Sequence, residues 1–423
     1  MKVRIPYGDK YKKVSINKKN LIGVIEALDT KPVKDERIAI RNALNNPIHC
    51  KKINEIAKEK SNAVIVVNDI TRPTPSKLLI EELSKKLNES GIKDSNIQIV
   101  VAIGIHRKNS REELVSMLGK ENVNRFNIIN HDCRDKLNIK FIGKTKRGLP
   151  IYINKIVANA DIKILTGVIV PHHSAGFSGG RKSILPGVSG HETLKIHHSF
   201  PIRPYRPVMG ILDSNPFHEE ALEAAKMLGV DFIINVVQNS KKETVSVVAG
   251  DLDIAHKKGV EISRKICEVS ISISERPDIV ITSPGGYPRD INPYQAQKAI
   301  SPVENIIREN GVIILVAERR DGIGKEETLS WLKKAKDPQE VIRRFSKEGF
   351  LFGSHKAFLF ARAIMKNQII IVTENISGED IKDMFMIKKD SLQNALLYAY
   401  KLTNINSKVL VFPRANYIIP KEV

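Results

Sequence analysis

The sequence predicts an α/β protein of two domains, each built on a mostly parallel sheet. Short, β-branched apolar runs recur along the chain between turn residues, and amphipathic helical patterns lie between those runs. The 423 residues also exceed what one ordinary hydrophobic core holds.

The runs are residues 63–67, 97–103, 162–170, 279–282, 312–316, 369–372 and 409–412. Each is nearly continuous in apolar residues rather than alternating. Strands buried on both faces read this way, and they belong to parallel sheets covered by helices. Helical patterns occupy residues 76–87, 111–118 and 296–309. Ser110 and Glu113 form a capping box ahead of the second, and Gly119 follows it as a stop. Residues 232–237 and 244–248, separated by a polar stretch, read as a β-hairpin. A polar break at 270–277 precedes a fresh strand. It divides the chain into an N-terminal catalytic and cofactor-binding domain, 1–272, and a C-terminal α/β domain, 273–423, with the residues after Pro413 free to pack back on the first.

Composition excludes several function classes. No apolar run approaches the ~20 residues of a membrane helix, and the basic N-terminus lacks the apolar core of a signal peptide. Cys50, Cys133 and Cys267 are far apart and form no CxxC pair, which argues against a disulfide framework and against thiolate zinc. A reducing cytoplasm is the expected location. The net charge of +21 invites a nucleic-acid partner, but the lysines are dispersed as solvated helix faces and only 5% of residues are aromatic. Neither nucleic acid nor a membrane is expected as partner; an anionic small molecule suits the charge.

In open α/β sheets ligands gather at the carboxyl ends of strands, and four strands here run into unusual loops. Asp69 and Arg72 leave the first strand in Asp69-Ile70-Thr71-Arg72-Pro73, a Pro-stiffened helix start or a carboxylate and guanidinium aimed into a cleft. His106 stands in Gly104-Ile105-His106-Arg107, as a solvated loop histidine or a general base. The richest segment runs from His172 to His198. It contains Ser178-Gly179-Gly180-Arg181-Lys182 between the doublets His172-His173 and His197-His198. Walker A spacing fails because Arg181 separates Gly180 from Lys182, so ATP hydrolysis is rejected. What remains is a Gly-rich turn whose backbone can approach a phosphate, with Arg181 and Lys182 beside it. Neighbouring residues of an extended chain face opposite ways, so each doublet offers one imidazole to a site, and His173 and His197 are read as structural or exposed. The fourth loop, Ser283 to Asp290, leads to Asn292-Pro293, a good helix start. Tyr294, Gln295 and Lys298 then share one face near a positive helix end, which suits an anion.

Together these segments resemble the nickel-dependent lactate racemase family. The pieces that match are Asp69 to Pro73, Gly104 to Arg107, Pro171-His172 through Lys182, His198, and Gly285-Gly286-Tyr287-Pro288, in family order across nearly the whole chain. The resemblance implies two α/β domains with an active-site cleft between them. It also implies a nickel pincer nucleotide (a pyridinium-3,5-bisthiocarboxylate mononucleotide) tethered to Lys182, with His198 completing the nickel coordination. His106 and His172 are then general bases on opposite faces of the substrate, and Asp69 and Arg72 orient them or the substrate carboxylate. Arg181, Gly179 and Gly180 contact the cofactor phosphate; Tyr294, Gln295 and Lys298 hold the substrate.

The implied activity interconverts D- and L-lactate, or a closely related 2-hydroxy acid, by hydride abstraction and return through a 2-keto acid. The chemistry is coherent. The α-hydrogen of a 2-hydroxy carboxylate is hard to remove as a proton, whereas an electrophilic cofactor takes it as hydride while a histidine removes the hydroxyl proton. Return to either face of a planar keto acid then requires one base per face. Cofactor biosynthesis and delivery proteins are the implied partners. Another 2-hydroxy acid or a sugar acid as substrate stays open, as does cofactor-free two-base proton transfer by His106 and His172.

Overall fold

The protein is described from a computed structural model covering residues 1–199, 208–271, 276–324, 326–349, 351 and 353–422. It divides into two compact units, one formed mainly by Met1–Leu28 and Cys267–Val423, the other by Asp29–Pro204 and Gly210–Ile266. Both are α/β with mostly parallel sheets, as the apolar runs predict.

The Asp29–Ile266 unit holds a six-stranded sheet in the order Thr244–Gly250, Phe232–Gln238, Ile162–Ile169, Ala63–Asn68, Ile97–Ala102, Asn127–Asn130. All neighbours are parallel except the first two strands, which form the expected hairpin. The core is the continuous one these runs imply: Ile65, Val67, Ile99, Val101, Ile164 and Ile234 face Leu79, Ile80, Leu83 and Leu87 of helix Ser76–Glu89. Helix Arg111–Leu118 begins at the Ser110–Glu113 capping box and stops at Gly119, whose φ of 82° suits glycine. Three adjacent parallel strands, Ile162–Ile169, Ala63–Asn68 and Ile97–Ala102, release their loops at the same sheet edge. Those loops carry His172 and Lys182, Asp69 and Arg72, and His106.

The other unit has an all-parallel six-stranded sheet, in the order Ile387–Lys389, Gln368–Val372, Val312–Val316, Ile279–Thr282, Val409–Phe412, Leu21–Val24. Its last strand comes from the start of the chain. The expected boundary between 272 and 273 lies outside the described residues, but an N-terminal domain beginning at residue 1 needs correcting, because Met1–Leu28 belongs to the C-terminal unit. The cause is an amphipathic hairpin, Lys2–Tyr7 with Lys10–Ser15. It buries Val3, Ile5, Tyr7 and Val14 in the same core as Ile281, Ile314 and Val411. The end of the chain also stays within this unit. Ile419–Glu422 pairs in parallel with Glu268–Ile271, residues the expected boundary assigns to the first domain and that lie in this same unit. A second correction concerns the helix expected over 296–309. Only Pro293–Ala296 is α-helical, followed by the 3-10 turn Gln297–Ala299 and irregular turns. Pro302 lacks an amide donor and disfavours helical geometry at Ser301, so the pattern breaks there.

Candidate active site

The Asp69 loop is organised around its carboxylate. Asp69 is buried; its Oδ2 lies 2.5 Å from His106 Nδ1, and its Oδ1 accepts the Thr71 hydroxyl at 2.6 Å and the Thr71 amide at 3.2 Å. Burial alone raises this carboxyl, yet the imidazole, Arg72 and Thr71 outweigh it and hold the pKa well below the usual carboxylate range. An ionised Asp69 accepts the Nδ1 proton, so the neutral His106 keeps its lone pair on Nε2, where a general base needs it. Arg72 is fastened in turn, donating to the Thr71 hydroxyl at 2.8 Å. Asn109 joins the two loops: its Oδ1 accepts the Ile70 amide, and it donates to Asn130.

His172 has the opposite wiring. Its Nδ1 accepts the backbone amides of Ser174 at 3.2 Å and Ala175 at 3.1 Å. Nδ1 is thereby engaged as an acceptor, and Nε2 lies 3.4 Å from Lys182 Nζ. Lys182 is part-buried in the short 3-10 turn Gly180–Ser183, with its ammonium 5.8 Å from the centre of the Phe217 ring.

The doublets do not splay as two residues of an extended chain would: the rings of His172 and His173 lie 4.4 Å apart, tilted by 30°, and those of His197 and His198 lie 5.2 Å apart at a helix end. His198 caps helix His191–His197, and its Nδ1 donates to the Leu194 carbonyl at 3.1 Å, which leaves the neutral ring's lone pair on Nε2. His197 is buried against Phe217, with ring centres 3.9 Å apart, and its Nε2 meets the Phe217 carbonyl at 3.0 Å.

Arg181 is where the geometry departs furthest from the sequence. It is fully buried and turned inward, donating to the carbonyls of Ala175, Phe177 and Gly179 at 2.8, 2.9 and 3.1 Å. The remaining donors reach His218 Nδ1 at 2.9 Å and His256 Nε2 at 2.8 Å. A guanidinium whose fork is spent on its own loop has nothing left for a phosphate, so the expected phosphate contact is corrected to an internal clamp. The glycines are explained the same way. Gly179 has a φ of 82°, and a Cβ there would lie 2.6 Å from Ile169 Cγ1 and 2.9 Å from Asn235 Oδ1. Gly180 has a φ of 49°, gives its amide to Asn235 Oδ1 at 2.8 Å, and would place a Cβ 3.1 Å from His256 Cδ2. A left-handed backbone and close packing account for both glycines.

Tyr294, Gln295 and Lys298 lie in the other unit. Asn292 caps their short helix by accepting the Gln295 amide at 3.0 Å. Lys298 Nζ reaches Gln295 Oε1, so these two side chains do share a face. Tyr294 hydroxyl meets His355 Nε2 at 2.8 Å. Sequence reasoning passes over His218, Asn235, His256 and His355. Each lies far along the chain from the motif it supports, and none carries a local pattern.

Comparison with known proteins agrees with the arrangement. Residues 7–209 match the lactate racemase N-terminal domain, and residues 273–419 the lactate racemase C-terminal domain. The chain is 36% identical over 431 residues to a lactate racemase of Thermoanaerobacterium thermosaccharolyticum, covering 99% of each. It is 34% identical over 425 residues to a lactate racemase of Lactiplantibacillus plantarum, again covering 99% of each. The fold matches the T. thermosaccharolyticum lactate racemase apoprotein with a TM-score of 0.91 at 35% identity over 100% of both chains. A Thermotoga maritima protein shares the fold alone, with a TM-score of 0.71 at 18% identity, over 94% of this chain and 100% of that one. From the paired loops at one sheet edge to full-length similarity, the chain belongs to the lactate racemase family.

Proposed function

We propose that this chain is an isomerase that interconverts the enantiomers of lactate, or of a closely related 2-hydroxy acid, with a nickel pincer nucleotide as cofactor. The observation that carries the reading is the opposed wiring of two histidines at one sheet edge. His106, backed by ionised Asp69, presents a lone pair. His172 accepts two backbone amides at Nδ1, which leaves Nε2 directed at Lys182. Two imidazoles, each with Nδ1 engaged, supply one proton-transfer group for each face of a substrate, which suits a reaction that unmakes a stereocentre and remakes it with the opposite hand.

The residues fit the cofactor in two respects. His198 offers one imidazole lone pair with its tautomer fixed from behind. Among the described residues no group of three or more His, Cys, Asp or Glu is placed to hold a metal. A single protein ligand suits an ion that arrives with its other donors already in place. Lys182, held at His172, is the tether. When bound, the cofactor supplies the acceptor and donor of hydride, through which the substrate passes a planar 2-keto acid. The chain's own residues do the rest: His106 and His172 move the hydroxyl proton, Asp69 orients His106, and Arg72 stands beside them for the carboxylate. Tyr294, Gln295 and Lys298 are assigned to substrate binding, in a chemistry of donors that matches a carboxylate. Partners of this reading are the proteins that make and deliver the cofactor, and its setting is the cytoplasm.

Protein produced together with the cofactor biosynthesis proteins is expected to carry nickel and a mass adduct on Lys182, and to racemise a chiral 2-hydroxy acid. His198→Ala should lose the nickel, measured by metal analysis. An active protein that is unmodified and nickel-free would overturn the reading, and a panel of chiral 2-hydroxy acids identifies the substrate.

A further inference from the structure

Tyr294 and His355 stand 61 residues apart in sequence and meet inside one unit. Tyr294 lies on the short helix Pro293–Ala296, and His355 in the first turn of helix Ser354–Ile364. The phenol oxygen is 2.8 Å from His355 Nε2, and the rings cross edge to face with centres 5.4 Å apart. Both side chains are buried, at 7% and 1% exposure. The next residue of the same helix, Lys356, brings its ammonium 5.0 Å from the centre of the Tyr294 ring and donates to Gln297 Oε1 at 3.0 Å. Two consecutive residues of one helix thus brace the phenol from two sides. A buried tyrosine needs some partner, but a backbone carbonyl would satisfy the hydroxyl by accepting its only proton. An imidazole can donate instead, and leaves that proton for another acceptor.

We propose that His355 is a positioning residue that holds the Tyr294 hydroxyl as a hydrogen-bond donor toward the substrate. The proposal rests on the reading of Tyr294 as a substrate-binding residue. A 2-hydroxy carboxylate is an anion, so the phenol has to donate to it and must take a hydrogen bond from elsewhere. That requires the His355 proton on Nε2, and a chain of this kind polarises the phenol and strengthens its donation.

The test is a kinetic cycle on cofactor-loaded enzyme. His355→Ala is expected to raise KM about tenfold with kcat little changed, as loss of one hydrogen bond to a charged group does when it acts equally in ground and transition states. His355→Gln, which sets an amide nitrogen near the position of Nε2, should restore most of the loss. Tyr294→Phe combined with His355→Ala should be no worse than Tyr294→Phe alone. Additive losses in the double variant, or a wild-type KM in His355→Ala, would overturn the proposal. The carbon-13 resonance of the labelled Tyr294 phenol reads the link without any substrate and should shift in folded His355→Ala and return most of the way to the wild-type position in folded His355→Gln; an unmoved resonance in His355→Ala, or an equal shift in both, also overturns it. A loaded wild-type enzyme that racemises no 2-hydroxy acid, with that resonance still shifting, brings down the functional reading and not the His355–Tyr294 link.

Discussion

Asp69 is a buried carboxylate that stays ionised because three neighbours are arranged to keep it so. His106 and Thr71 touch it, Arg72 adds its charge, and together they overcome the desolvation that would otherwise neutralise it. The consequence is a fixed tautomer on His106. Asp69→Asn preserves the shape and removes the charge, and its amide can present a donor where the imidazole also needs to donate. The expected result is a kcat lower by on the order of a hundredfold with an intact fold and cofactor load, measured by racemisation assay beside intact mass. A kcat within a few-fold of wild type would mean that Asp69 merely caps its own loop. Both partners were legible in the sequence as strand-end polar residues. Their pairing was not, because 37 residues separate them and only the parallel alignment of two neighbouring strands brings the loops together.

At the scale of elements, the Gly-rich turn shows what a motif hides. Its sequence announces charge and flexibility, and phosphate binding is the natural inference. The folded turn is instead clamped shut from within by Arg181, whose pKa burial lowers to about 9, still charged at neutral pH. Among the described residues no carboxylate is hydrogen-bonded to that guanidinium; carbonyls and the His218 imidazole take its donors, and His256 Nε2, which also meets the Ser178 carbonyl, lies beside it. Burial and then the Arg181 charge depress both imidazoles, His218 to about 3 and His256 well below its ordinary 6.5. Groups held neutral in the fold but free to protonate when unfolded contribute stability that is fully present above about pH 6.5 and is lost as pH falls toward 3. The urea midpoint of the wild type should therefore drop between pH 7 and pH 5. Arg181→Lys, a point charge with no planar fork, gives up several charge-assisted hydrogen bonds at roughly 1.5–3 kcal/mol each, although the Ala175 and Gly179 carbonyls keep a backbone amide. It should lower the melting temperature markedly and impair Lys182 loading through the displaced loop. A phosphate-binding Arg181 would behave otherwise, losing the cofactor with no change in melting temperature. Elements with strong periodicity, such as the buried strands and the capped helix at 111–118, read correctly from sequence. The 296–309 pattern did not, because one proline outweighed the apolar spacing around it.

For the whole molecule, the discontinuous C-terminal unit carries the largest energetic consequence. Leu21–Val24 completes its sheet beside Val409–Phe412, and the preceding hairpin buries Val3, Ile5, Tyr7, Val14 and Ile16 in its core. Sequence reading missed this because the hairpin alternates apolar and polar residues, a weak signal in a Lys-rich segment, and because contiguity along the chain is the default assumption about domains. At about 2 kcal/mol for each buried side chain, those five residues amount to on the order of 10 kcal/mol, an upper figure because the unfolded chain already hides some of that surface. Domains are typically stable by only about 5–15 kcal/mol. Deleting residues 1–28 is therefore expected to unfold the Cys267–Val423 unit while the sheet of the Asp29–Ile266 unit persists. Amide hydrogen exchange read by mass spectrometry separates the two: protection should vanish in peptides covering 279–282, 312–316 and 409–412, and remain in those covering 63–68 and 162–169. Retained protection in the first set would mean that the C-terminal sheet stands without its borrowed edge. Uniform loss in both sets would mean that the two units fold as one cooperative body.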